Sequence, residues 1–218
     1  MRAKSLLVIA VGVLAVVSYY TWFQPFNSKA GTEDDGVAVS GTVEPGISIT
    51  ATSSTLDLGT LNGFTGGAVS GDAEWTVATN NAAGYELKVN ETHKFYKDTG
   101  GTDKEFDDYI DILTLAPTYN WSAGQDDRLF GFAIKTIGKD ATAVQRYLTD
   151  STDCNIASGS GGAFETLKCW DAFSATASTI VSSDAPTDFG GEATAITIKA
   201  EIGTPTEGTY LESGAYGT

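Results

Sequence analysis

Histidine and methionine each occur once in 218 residues, cysteine twice, and only 13 lysines and arginines stand against 28 aspartates and glutamates. Each scarcity removes a class of function. A Ser-His-Asp site would have to recruit His93, which sits in the polar run Asn90-Glu91-Thr92-His93-Lys94 without the glycines of a nucleophile elbow. Two cysteines with no CxxC spacing and no neighbouring histidine do not build a zinc or dithiol redox centre. There is no GxxxxGK[ST] and no GxGxxG after a strand, so nucleotide binding has no support. Three of the basic residues (Arg2, Lys4 and Lys29) and none of the acids lie in the first 30 positions. That leaves ten bases against 28 acids, a net −18, for residues 31–218. Such a surface repels phosphate backbones, which excludes nucleic acid as a partner. The chain is read as a non-enzyme with no organic cofactor.

What is present is alternation. Val37, Val39, Gly41 and Val43 are each separated by one small or polar residue. Ile47, Ile49 and Ala51 alternate with Ser48, Thr50 and Thr52; Ala73-Glu74-Trp75-Thr76-Val77 and Tyr85-Glu86-Leu87-Lys88-Val89 repeat the pattern. Side chains two apart share a face of a strand, so this is half-buried antiparallel sheet. Pro45-Gly46, Asn62-Gly63 and Asn80-Asn81-Ala82-Ala83-Gly84 punctuate it as turns. Further on, Phe130, Phe132 and Ile134 share one face, and Ile196, Ile198, Ala200 and Ile202 alternate strictly. Tyr109 to Leu115 reads as a strand, Ala141 to Leu148 as a short helix or turn, Thr179 to Ser182 as extended, and Gly208-Thr209-Tyr210 as the entry to a last strand. The predicted fold is all-β, an antiparallel sandwich of jelly-roll type preceded by an N-terminal hydrophobic helix or leader.

The first 30 residues read as a signal peptide or membrane anchor. Met1-Arg2-Ala3-Lys4 is a basic start, and Ser5 to Phe23 carries no charge. Ser28 and Ala30 place small residues for a cut before Gly31. Left uncut, residues 5–23 are about long enough to span a bilayer, with Tyr19, Tyr20, Trp22 and Phe23 at its interface. A type IV pilin-like subunit with an N-terminal helix core is an alternative; the prepilin cut site and the early glutamate it requires are not visible. Residues 31–218 are then one exported β-sandwich domain, extracellular or on the cell surface. Export agrees with a structural disulfide between Cys154 and Cys169.

The acids cluster. Asp103, Glu105, Asp107, Asp108 and Asp111 form the densest set and are the candidate Ca²⁺ ligands, although the order of an EF-hand loop is missing. Asn90-Glu91-Thr92 and Asn120-Trp121-Ser122 match the N-glycosylation sequon, making Asn90 and Asn120 candidate sites. Tyr119, Trp121 and Trp170 are candidate platforms for sugar rings, with core packing as the competing role.

Three stretches carry a family resemblance: Leu56-Asp57-Leu58-Gly59-Thr60-Leu61, the run from Trp75 to Leu87, and Ala195-Ile196-Thr197-Ile198 with Gly208-Thr209-Tyr210. Together they resemble exported β-sandwich proteins of bacterial and archaeal surfaces, WxL-like cell-wall proteins and TasA-type fibre subunits. Neither Trp75-Thr76-Val77 nor Trp121-Ser122-Ala123 is a Trp-x-Leu motif, so cell-wall binding is not implied. The resemblance implies a structural surface role, with filament assembly by strand donation. In that reading residues 31–44 are the donor segment, Val37, Val39 and Val43 fill a neighbour's core, and the partner is a second copy of the chain. The alternative is a surface module that binds a glycan or another surface partner, with Ca²⁺ where required.

Overall fold

The computed structural model describes residues 29–30, 37–38, 43–92, 94–97, 106–109, 116–207 and 216–217. The chain divides between Glu44 and Pro45 into two units. In the N-terminal unit a short antiparallel ladder joins β1 (Lys29–Ala30) to β2 (Val37–Ala38). Of the leader expected over residues 1–30, residues 1–28 with the helix lie outside the described residues, as does Val39, while Lys29 and Ala30 form β1.

The larger unit is all-β. Its main sheet runs in the order β3 (Ile47–Ala51), β4 (Gly67–Thr79), β15 (Glu192–Ile202), β9 (Arg128–Thr136), β13 (Cys169–Asp171), β8 (Thr118–Tyr119). A seventh strand, β7 (Asp107–Asp108), pairs in parallel with β9; the other pairings are antiparallel. A second sheet has three strands, β10 (Thr142–Ala143), β14 (Ser178–Ser183) and β5 (Tyr85–Val89). Among the described residues there are also two small ladders: β11 (Leu148–Thr149) with β12 (Ala163–Phe164), and β6 (Tyr96–Lys97) with β16 (Tyr216–Gly217).

The alternation explains how the sheets meet. Along β5, Tyr85, Leu87 and Val89 are buried while Glu86 and Lys88 are exposed. These inward residues join Ile180 and Val181 of β14 and pack against Val77, Phe132, Ile134 and Ile196 of the large sheet in one hydrophobic cluster. Two sheets sharing one apolar interior make a β-sandwich-like body. A second cluster, Phe106, Phe130, Ala200 and Ile202, extends the core toward the far end of β15. There Phe95 stacks on Phe130 with ring centroids 4.6 Å apart.

β4 begins at Gly67, six residues before the stretch whose periodicity marks it in sequence. Its first half is rich in Gly and Ser, but β15 pairs with it from Gly67 to Val77, Ile202 with Gly67 through Glu192 with Val77. Tertiary pairing overrides weak local propensity here. Gly71 has a packing reason as well: a Cβ there would sit 2.9 Å from Leu56 Cδ1 and 3.2 Å from Leu58 Cδ2, side chains of the loop laid over the strand. The short helix or turn expected over 141–148 is β10, a 3-10 turn at Gln145–Tyr147, and the start of β11. Of the strand expected over 109–115, residues 110–115 lie outside the described residues, as do 208–215 ahead of β16.

Cys154 and Cys169 are disulfide-bonded, with Cα atoms 5.8 Å apart. The bridge ties the loop after β11 to the start of β13. Next to it lies a buried ionic knot. Asp171, 2% exposed, accepts from Arg146 Nε at 2.7 Å and Nη2 at 2.9 Å. It also accepts from the Tyr147 hydroxyl at 3.0 Å and from the Ala172 amide at 3.0 Å. Burial, with Asp171 alongside, drives the Tyr147 phenol far above its ordinary pKa. Truncating Asp171 would strand a guanidinium and a phenol hydroxyl that now share its carboxylate. Arg146 is partly open to water, so Asp171→Ala is expected to cost about 1–3 kcal/mol in urea unfolding, chiefly for the buried hydroxyl and amide left without an acceptor. Removing the disulfide as Cys154→Ser/Cys169→Ser should cost about 3 kcal/mol, the entropy of a loop of some 15 residues.

Candidate functional site

The large sheet is wider than the sheet that covers it. Residues directly opposite in a ladder share a face. Ile47 is opposite Thr79, Ile49 opposite Val77, and Ala51 opposite Trp75. Val77 is 2% exposed and Thr79 6%, so this is the core side of the sheet. Ile47 and Ile49 point to the same side yet are 66% and 57% exposed. The three-stranded sheet stops at β5 and leaves β3 bare. Among the described residues β3 pairs only with β4, and β5 only with β14.

Between these two unpaired edges lies a cleft of about 410 Å³. Ala73, Trp75, Ile196 and Ile198 of the large sheet line its floor, Leu87 and Val89 one wall, and Ile49 the other; Asn90, Glu91 and Thr92 close one end. Trp75 is only half-buried, although its position on the inner face of a central strand would normally cover it. Most of its lining is apolar, with Lys88, Asn90, Glu91 and Thr92 as the polar members, and an edge strand forms each of its long sides.

The polar end holds a constrained acid. Glu91 Oε2 is buried without a hydrogen-bond partner. Burial first, and Asp108 second, raise the Glu91 carboxyl above its ordinary value, while Lys94 opposes the shift. Lys94 Nζ lies 3.5 Å from Asp108 Oδ2, so its charge is shared between the two acids.

The other residues singled out in the sequence are scattered. Of the candidate Ca²⁺ ligands, Asp107 and Asp108 form β7, while Asp103, Glu105 and Asp111 lie outside the described residues. No metal-binding group of three or more side chains occurs among the described residues. His93 also lies outside them. Asn90 is exposed at the end of the cleft. Asn120 is exposed, left-handed at φ 63°, and accepts from Lys168 Nζ at 3.0 Å. The aromatics proposed as sugar platforms are committed elsewhere. Trp121 stacks on Tyr109 at 4.0 Å and carries Lys199 Nζ over its ring at 4.6 Å, so both faces are taken. Trp170 is 7% exposed and donates to the Leu167 carbonyl, and Lys168 lies over the Tyr119 ring.

The cleft itself has no sequence motif. Its one sequence signal is the isoleucine alternation of β3, which marks an inner face but does not say which strand covers it.

A raised carboxyl pKa favours the protonated form in the folded state. Ionised Glu91 therefore costs stability at neutral pH, and that cost fades as the pH falls through the raised value toward the ordinary 4.5. Glu91→Gln is expected to raise the melting temperature by about 1–2 °C at pH 7, with the gain vanishing in acid; a scan of melting temperature against pH checks it. Comparison with protein-family models, characterised proteins and solved structures finds no match for this chain.

Proposed function

We propose that the protein is an exported structural subunit of a cell-surface filament or layer, in which a strand from a neighbouring copy is added along β5 and laid over β3. The observation that carries this reading is the exposure of Ile47 and Ile49 on the core side of the large sheet, beside a mainly apolar cleft that Ile49 lines and that has an edge strand on each side. An isolated domain leaves that surface wet, and one added strand covers it. Main-chain bonding supplies the affinity in such an addition, and alternate side chains supply the fit.

The segment from Gly36 to Val43 has the matching pattern. Val37, Val39 and Val43 would face the cleft, Gly41 would leave room on the same side, and Ala38, Ser40 and Thr42 would face water. The segment belongs to the N-terminal unit, not to the body that carries the cleft. Its present pairing, Lys29 with Ala38 and Ala30 with Val37, is a two-residue ladder, far below the size at which a hairpin is stable alone. Exchange for a longer ladder on a neighbour is favourable on that ground. The acidic surface and the disulfide are compatible with an extracellular setting.

Electron microscopy of the purified protein tests the reading. Filaments or sheets are expected from the full chain, and their loss on deletion of residues 31–44. Single particles at every concentration, salt and pH, with stability untouched by the deletion, would reject it.

A further inference from the structure

The strand added along β5 would cover the inner face of β3 but leave its outer edge in the plane of the large sheet unpaired. We propose that this edge pairs with the same edge of a second copy, antiparallel and across a two-fold axis at Ile49, so that two seven-stranded sheets become one. The inference does not rest on strand donation; it concerns a different edge and a different contact.

The backbone sets the register. Thr52 N donates to Glu74 O, and Asn80 N donates to Gly46 O, so the even-numbered residues of β3 spend their main-chain groups on β4. Main-chain groups alternate sides along a strand, so those of Ile47, Ile49 and Ala51 point to the free edge. An antiparallel partner must bring odd residues opposite odd residues. A two-fold at Ile49 does so and uses all five residues: Ile47 against Ala51, Ile49 against Ile49, Ser48 against Thr50. The inner face then gains an unbroken apolar row, and the outer face a row of small hydroxyls, both of which pair well across strands.

The charge pattern selects this edge. A body carrying −18 over residues 31–218 repels its own copies, so a self-contact has to fall where acids are absent. β3 has no charged residue, and in this register the flanking Glu44 falls opposite Ser54 rather than another acid. The other free edges are less suited to pairing with their own copy. β5 bears Glu86 and Lys88, and β8 is two residues long. β3 is five residues long, without charge, proline or bulge.

Disulfide trapping tests the pairing. The chain's two native cysteines are bonded to each other, so introduced thiols are the free ones. Full-length Ser48→Cys and Thr50→Cys variants, tagged differently and mixed under mild oxidation, are expected to give a crosslinked heterodimer. Neither variant alone should crosslink. Adding Ile49→Lys to both should abolish the crosslink while leaving the circular dichroism spectrum unchanged, because Ile49 is exposed. Crosslinking of Ser48→Cys with itself would show a parallel or shifted pairing, and absence of any crosslink would show a free edge; either overturns the inference. Filaments that persist without the 48–50 crosslink would leave strand addition standing and this contact refuted. The crosslink without filaments would do the reverse.

Discussion

The structure depends on an imbalance between two sheets. Among the described residues, seven strands lie on one side of the core and three on the other. Apolar side chains placed by a period of two are fixed to one face, and a strand cannot turn them away without slipping its register. β3 is held in register by five residues paired to β4, so Ile47 and Ile49 stay on the core side even where no second layer meets them. The cleft, the half-buried Trp75 and the two unpaired rims all follow from that single shortfall in coverage.

The rest of the body is closed tightly. β15 lies between β4 and β9 and is paired to both, and its inward Ile196 is fully buried. Close backbone approaches fix the connections: a Cβ at Gly84 would collide with the Ser183 carbonyl, and Gly84 is left-handed at φ 70°. The disulfide and the Arg146–Asp171–Tyr147 knot fasten the irregular segment between β10 and β13, where strands are only two or three residues long. Rigidity elsewhere is what makes an open edge usable: a partner strand meets a preformed ladder and does not have to order the acceptor.

Much of this was legible in the amino-acid order. The strands around Ile47–Ala51, Tyr85–Val89, Phe130–Ile134 and Ile196–Ile202 are visible because one face of each is apolar and the other polar. The first half of β4 is not, since Gly67, Ser70 and Gly71 have low strand propensity and owe their conformation to β15. The cysteine pairing was forced by number alone. The cleft was out of reach because coverage is a property of strand order: Ile49 reads the same whether a neighbouring layer covers it or stops short of it. The aromatic residues left two roles open, sugar platform or packing. Trp121 lies in a loop-like stretch that suggests exposure, but Tyr109 and Lys199 converge on it from distant positions.

Hydrogen exchange read peptide by peptide tests the coverage argument most directly. In the dispersed protein the peptides spanning β3 and β5 should exchange far faster than those from β15 and β9, and on assembly they should become protected while the centre of the large sheet stays unchanged. Protection of β3 and β5 equal to that of β15 in the dispersed protein would mean that the cleft is already filled, and would contradict the account.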